Sequence, residues 1–286
     1  MEFFLNLLRS VAYGIIEGVT EWLPISSTGH MILAEQVLKF SFSAEFMEMF
    51  RVVIQLGAIL AVVVLYFKKL WPFCADNGRD SGFSRHFRWP VVRLWCKIIV
   101  ACVPAAVLGL LLDDWLDAHL YNSITVALML IIYGIAFILI ERRPRVPTTT
   151  KLSRITYKQA LIVGAWQVLA LIPGTSRSGS TIIGGLLCGM SRPAASQFTF
   201  FLAIPVMAGA SGLKLVKFLA KGGVFTLAEI SALLAGCIVA FVVSMLAIRF
   251  LMNYVKKHTF TAFGWYRIAL GIVVLGIWAL QTFVLA

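Results

Sequence analysis

Long apolar runs dominate the pattern of this 286-residue chain, for example Val52 to Phe67 and Ile230 to Ile248. Each approaches the roughly 20 residues that cross a hydrocarbon core as helix. Six such segments predict spanning helices, at about 46–67, 91–112, 122–141, 196–218, 228–251 and 262–285. Two further apolar segments, about 6–38 and 156–191, are interrupted. Each carries a central proline followed by a hydroxyl-rich, glycine-containing stretch: Pro24-Ile-Ser-Ser-Thr-Gly-His30 and Pro173-Gly-Thr-Ser-Arg-Ser-Gly179. Neither half of either segment is long enough to span alone, so both predict re-entrant helix hairpins that dip into the bilayer and return.

The chain repeats itself. Pro24 and Pro173 lie 149 positions apart, as do Lys68 and Lys217, which end the span after each motif. Each repeat, 1–141 and 156–286, reads as one hairpin plus three spans. An odd number of spans turns the second copy upside down relative to the first, and such repeats place a binding site near the midplane, where broken helices meet. The expected fold is therefore an all-α integral membrane protein with six transmembrane helices plus two re-entrant helix hairpins in an inverted-topology repeat, one membrane domain over 1–286.

Composition agrees: 60% of residues are hydrophobic and 13% charged, and the mean hydropathy of +0.91 excludes an ordinary soluble domain. The net charge of +12 does not imply nucleic acid, because the basic residues cluster in loops between apolar spans. Lys68, Lys69, Arg79, Arg85, Arg88 and Arg93 fill the 68–93 loop, and Arg142, Arg143, Arg145, Lys151, Arg154 and Lys158 fill 142–158. Arg249, Lys256 and Lys257 mark a third turn, whereas a loop expected at 113–120 holds Asp113, Asp114 and Asp117 with no Lys or Arg. Basic loops in the cytoplasm put both termini outside, with Lys214, Lys217 and Lys221 as weak dissenters. Five cysteines form no C-x-x-C pair and read as small buried hydrophobes. The start lacks a basic n-region and a cleavage site, so no removable signal peptide is expected.

Ionisable groups inside apolar segments cost roughly 2.5–3.5 kcal/mol each and need a reason. Glu17 and Glu21, spaced i, i+4, project from one face of a helical turn. Two carboxylates that close repel unless a cation or proton is shared, which points to a divalent metal site or to a ligand plus a general base. His30 is a candidate general base, acid or nucleophile. Ser27 is a candidate nucleophile or phosphate ligand, and Ser26 and Thr28 are phosphate ligands or simply helix caps. The second motif offers Thr175, Ser176, Ser178 and Thr181 around Arg177, whose planar guanidinium suits phosphate oxygens, or else pairs with Glu17 or Glu21. A new helix starts after each proline, and its first N–H groups bind anions. Two such starts facing each other, one acidic and one basic, would cradle a cation-bridged diphosphate.

At these residues the sequence resembles the undecaprenyl-diphosphate phosphatase family, the bacterial bacitracin-resistance proteins. Glu17 and Glu21 meet its spaced acidic pair, Ser26 to His30 its Ser-Ser-Thr-Gly-His stretch, and Pro173 to Thr181 its P-G-x-S-R-S-x-x-T pattern without a gap. Val52 to Gly57 also resembles the family; Arg51 departs from it, standing where many relatives would carry an acid. The resemblance implies hydrolysis of undecaprenyl diphosphate to undecaprenyl phosphate and inorganic phosphate, recycling the carrier for peptidoglycan synthesis and conferring bacitracin resistance. It further implies a divalent cation (Mg²⁺ or Ca²⁺); the residues themselves lead us to expect that cation on Glu17 and Glu21, and catalysis by Glu17, Glu21, Ser27, His30 and Arg177. It also implies the bacterial cytoplasmic membrane, a site open to the outer side, and allows a homodimer.

Two other readings compete. Short Ser-Thr-Gly-His and Ser-Arg strings suggest a type-2 phosphatidate phosphatase, but the further histidine that family needs is met only by His258, in a turn expected in the cytoplasm. Inverted repeats with broken helices also build transporters, so a polyprenyl-phosphate flippase or anion transporter would use Glu17, Glu21 and Arg177 for binding alone.

Overall fold

The computed structural model describes residues 1–75, 85–143 and 146–283, without the side chains of residues 113, 114 and 117. Arg79, Arg145 and the side chains of Asp113, Asp114 and Asp117, all used in the charge argument, lie outside the described residues. The architecture is all-helical: α1 Glu2–Thr20, α2 Ser27–Val37, α3 Ala44–Val53, α4 Gln55–Leu65, α5 Phe67–Leu70, α6 Trp89–Leu120, α7 Ser123–Arg142, α8 Tyr157–Val168, α9 Arg177–Leu187, α10 Arg192–Ala220, α11 Leu227–Tyr254 and α12 Thr261–Phe283. Among the described residues, six stretches are long and apolar enough to cross a membrane: Ala44–Leu65, Trp89–Leu112, Ser123–Arg142, Arg192–Ala220, Leu227–Tyr254 and Thr261–Phe283. They match the six expected spans, with two corrections. The first is broken at Ile54 into α3 and α4, and α6 continues through Leu120 instead of yielding to a loop at 113–120. No glycine or proline interrupts 113–120, and a helix needs no lipid to continue, so polarity alone misplaces its end.

The outward faces are apolar: Leu110, Leu111, Val216, Ile238 and Leu246 are all well exposed, as expected of surfaces solvated by lipid. In such a medium helices associate by close packing rather than by hiding apolar area from water, and small residues at crossings allow it. A Cβ at Gly57 would lie 2.1 Å from the carbonyl oxygen of Cys237, so α4 and α11 touch backbone to backbone there. Gly134 of α7 and Gly264 of α12 approach each other in the same way: a Cβ added to either would lie 2.7 Å from the other's carbonyl oxygen. The cysteines are free and none is fully buried; Cys96 is exposed on α6, so the expectation of buried thiols is corrected. A cysteine is apolar enough to face lipid as well as core.

Both interrupted segments are tied at their ends. The Asn6 side-chain amide donates to Ser41 Oγ at 2.7 Å, joining the start of α1 to the chain just past α2. Thr148 N–H donates to Gly189 O at 2.9 Å, and Ser191 N–H to Thr149 O at 2.9 Å, joining the approach to α8 to the exit from α9. Helix partners also exchange between the halves: α1 packs on α11 while α8 packs on α6, and α7 packs on α12. Arg51 forms an ion pair with Glu35 near the end of α2, which compensates its charge.

Candidate active site

The two interruptions end in matching caps. Ser26 begins α2 and Ser176 begins α9, both at φ 71°, and each hydroxyl accepts the amide N–H three residues on, from Gly29 and Gly179. A positive φ is uncommon outside glycine and asparagine, and here it turns the chain back sharply while the hydroxyl closes the new helix. The second turn is one residue longer, the extra residue being Gly174 (φ +91°). A Cβ at Gly174 would meet the Val126 carbonyl oxygen at 2.4 Å, so only glycine fits.

These caps put Ser27 and Arg177 at the first position of their helices, and both reach Glu21, the residue that ends α1. Arg177 Nη2 donates to Glu21 Oε1 at 2.8 Å, and Ser27 Oγ donates to Glu21 Oε2 at 3.3 Å. One carboxylate is thus held between the starts of two helices from opposite halves of the chain. The pair is secluded, with Arg177 and Glu21 side chains 11% and 8% exposed. The first amides of each helix have no intrahelical acceptor, and the hydroxyl caps meet only those of Gly29 and Gly179.

Other groups fix this arrangement. Arg177 Nη1 donates to Thr199 O at 2.9 Å, and its guanidinium lies 5.9 Å from the ring centre of the fully buried Trp22, which packs edge-on against Phe200. Thr199 Oγ1 bonds Thr181 Oγ1 at 2.9 Å, and Thr181 Oγ1 in turn donates to Arg177 O. Ser178 Oγ lies 3.2 Å from Ser176 Oγ and donates to Leu23 O at 3.3 Å, linking the two turns. Ser178, Thr181 and the two caps therefore already have protein partners. His30 sits one turn into α2. Its Nδ1–H donates to Ser26 O at 2.7 Å, since a carbonyl can only accept, and its Nε2 then accepts from Tyr266 Oη at 2.7 Å, with the rings stacked.

Several buried polar atoms have no partner among the described residues: Glu17 Oε1, Arg177 Nε, Thr175 Oγ1 and Trp22 Nε1. Such atoms cost free energy in a low-dielectric interior unless a ligand meets them. Two of these donors belong to Arg177 and Trp22, whose guanidinium and ring are neighbours. Glu17 lies one turn before Glu21 on α1, and it is nearly fully buried.

Tyr266, Trp22 and Thr199 were not singled out from the sequence, and neither was a buried cation. Arg267, fully buried in α12, donates to Pro24 O (3.2 Å) of the first turn and to Gly174 O (3.0 Å) and Thr175 O (2.9 Å) of the second, with Leu130 O and Met129 O beside them. Its guanidinium lies 5.6 Å from the ring centre of Tyr133. This cation pins both turns through backbone carbonyls. The insertion cost that singles out Glu17 applies equally to an arginine inside the last span, and that is the signal that would have found it.

Fold and contacts together define a multi-pass helical membrane protein with one charged, donor-rich site assembled from two helix starts. The chain belongs to the family described as bacitracin resistance protein BacA, which matches residues 10–273. It is similar to the undecaprenyl-diphosphatase of Enterococcus faecalis (strain ATCC 700802 / V583), 60% identical over 277 residues covering 96% of this chain and 98% of the relative. Undecaprenyl-diphosphatases of Streptococcus gordonii and Desulfitobacterium hafniense are each 55% identical, over 98% of both chains.

Proposed function

We propose that this protein hydrolyses undecaprenyl diphosphate to undecaprenyl phosphate and inorganic phosphate, returning the lipid carrier to cell-wall synthesis and conferring bacitracin resistance. The observation that carries the reading is Glu21, held by Arg177 on one oxygen and Ser27 on the other. It is supported by near-full-length similarity to proteins named for this activity.

In this reading the terminal phosphate takes the place of Glu21 on Arg177, meeting the unpartnered Arg177 Nε–H, Thr175 hydroxyl and first amides of α2 and α9. The guanidinium and those amides stabilise charge on the phosphoryl oxygens. Glu21, released from the ion pair, accepts the Ser27 proton. The Ser27 Oγ–P bond forms as the bond to the bridging oxygen breaks, and the lipid monophosphate leaves. Water then cleaves the phosphoserine to give inorganic phosphate. His30, with its two ring nitrogens engaged by Ser26 and Tyr266, braces the turn beneath Ser27, which favours Glu21 over His30 as the base. The acidic pair would supply oxygen ligands of the kind Mg²⁺ and Ca²⁺ take, and the buried Glu17 Oε1 lacks a partner. Among the described residues no cluster of three His, Cys, Asp or Glu side chains is present, so the diphosphate would complete the coordination. Glu17 and Glu21 would hold Mg²⁺ or Ca²⁺, which would offset the diphosphate's charge.

The same reading includes two re-entrant hairpins in an inverted repeat, with the basic segments in the cytoplasm of a bacterium and the site open to the outer side of its inner membrane. Support comes from the ties between Asn6 and Ser41 and between Thr149 and Ser191, which join the two ends of each interrupted segment. The matching caps and the exchange of helix partners between halves add to it.

Purified protein in detergent should release phosphate from undecaprenyl diphosphate, lose that activity with a chelator and regain it with Mg²⁺ or Ca²⁺. Binding of the lipid without phosphate release would replace the reading with transport, since no sealed compartment is present.

A further inference from the structure

At one end of the bundle a cavity of about 410 Å³, lined by none of the residues placed in the candidate active site, opens between helix ends. Its walls come from the residues after the first span (Lys69), the start of α6 (Arg88, Val91), the segment before α8 (Lys151), the start of α10 and the end of α11 (Met252). All these points lie where spans begin or end, so the cavity sits at the level where the bilayer's apolar interior meets its polar surface.

The lining has two characters. Three cations, Lys69, Arg88 and Lys151, contribute to it, and no acidic residue does among the described residues. Arg88 is held in place by donating to Lys68 O at 2.6 Å and Trp71 O at 3.3 Å, and Lys69 by Gln197 Oε1 at 3.4 Å and the Tyr66 ring. Thr150 and Ser153 add hydroxyls. The remaining wall, including Val91, Leu94 and Met252, is apolar. A free anion has no use for such a wall, whereas a lipid fills both parts at once. We infer that this cavity is a binding site for an anionic phospholipid, its phosphodiester held by Lys69, Arg88 and Lys151 and its upper acyl chain against Val91, Leu94 and Met252. Basic pockets between membrane helices recognise anionic head groups in this way. The site is separate from the phosphatase chemistry and does not depend on it.

The test uses purified full-length protein in detergent, titrated with phosphatidylglycerol, phosphatidylcholine or inorganic phosphate and read by native mass spectrometry. Wild type should bind phosphatidylglycerol far better than phosphatidylcholine. The double variant Lys69→Gln/Lys151→Gln should weaken phosphatidylglycerol binding about 25-fold, roughly five-fold per lysine. The variant Lys256→Gln/Lys257→Gln, an equal charge change outside the cavity, should stay within about two-fold of wild type. Equal loss in both double variants, or no loss in the first, overturns the site. Displacement of phosphatidylglycerol by millimolar inorganic phosphate reassigns it to a free anion and overturns the lipid assignment. Unchanged melting temperature of both variants confirms that folding is not the cause.

Discussion

Replacing Arg177 with lysine keeps the positive charge and removes the fork. The guanidinium donates at once to Glu21 at 2.8 Å and Thr199 O at 2.9 Å while covering the Trp22 ring. A lysine ammonium is a compact point charge and reaches one of these acceptors in a given pose. A hydrogen bond involving a charged group contributes about 1.5–3 kcal/mol. Losing one such bond to the phosphoryl oxygens in the transition state should lower kcat/KM roughly 10- to 150-fold. Arg177→Ala does something different, leaving the Glu21 carboxylate alone in a secluded place; breaking a buried pair on one side costs about 3–5 kcal/mol. The assay is phosphate release from undecaprenyl diphosphate in detergent, with kcat and KM separated and melting followed alongside. The lysine variant should fold normally and turn over slowly. A lysine variant within two-fold of wild type would refute the idea that the fork, and not mere charge, acts on the phosphate.

Arg267→Gln should be costly although it touches no substrate, because carbonyls of both turns lose their donors at about 1–3 kcal/mol for each buried acceptor left unmet. Melting temperature and kcat should both fall while KM changes less; an unchanged kcat would contradict a role in positioning the turns. Gly57→Ala would push a methyl to 2.1 Å from the Cys237 carbonyl oxygen, so α4 and α11 must separate. That overpacking should cost about 1–3 kcal/mol, read as a lower melting temperature, and an unaffected protein would disprove the backbone contact.

Much of this was legible in the sequence because hydrophobic length and insertion cost are local quantities. The six spans follow from apolar runs, and Glu17, Glu21 and Arg177 stand out as charges where charge is expensive. That Glu21 and Arg177 meet follows from the two proline motifs. What escaped has physical reasons. Ser26 is read equally well as a ligand or a cap, since one hydroxyl serves both, and Ser176 as a ligand; the backbone at φ 71° shows both capping. Arg267 acts on backbone carbonyls, which every residue has, so no partner residue betrays it. The hydrogen bond between His30 and Tyr266 spans most of the chain and leaves no local signal. The end of α6 was misplaced because helix propensity continues where hydrophobicity stops.

The account rests on a carboxylate from the first half and a guanidinium from the second acting on one phosphate. A double-mutant cycle on phosphate release, with Glu21→Gln, Arg177→Met and both together, measures that directly. Groups that act as a unit are strongly non-additive, so the double variant should be about as slow as the slower single variant. Losses that simply multiply would mean that the two residues work independently, and would contradict a shared site.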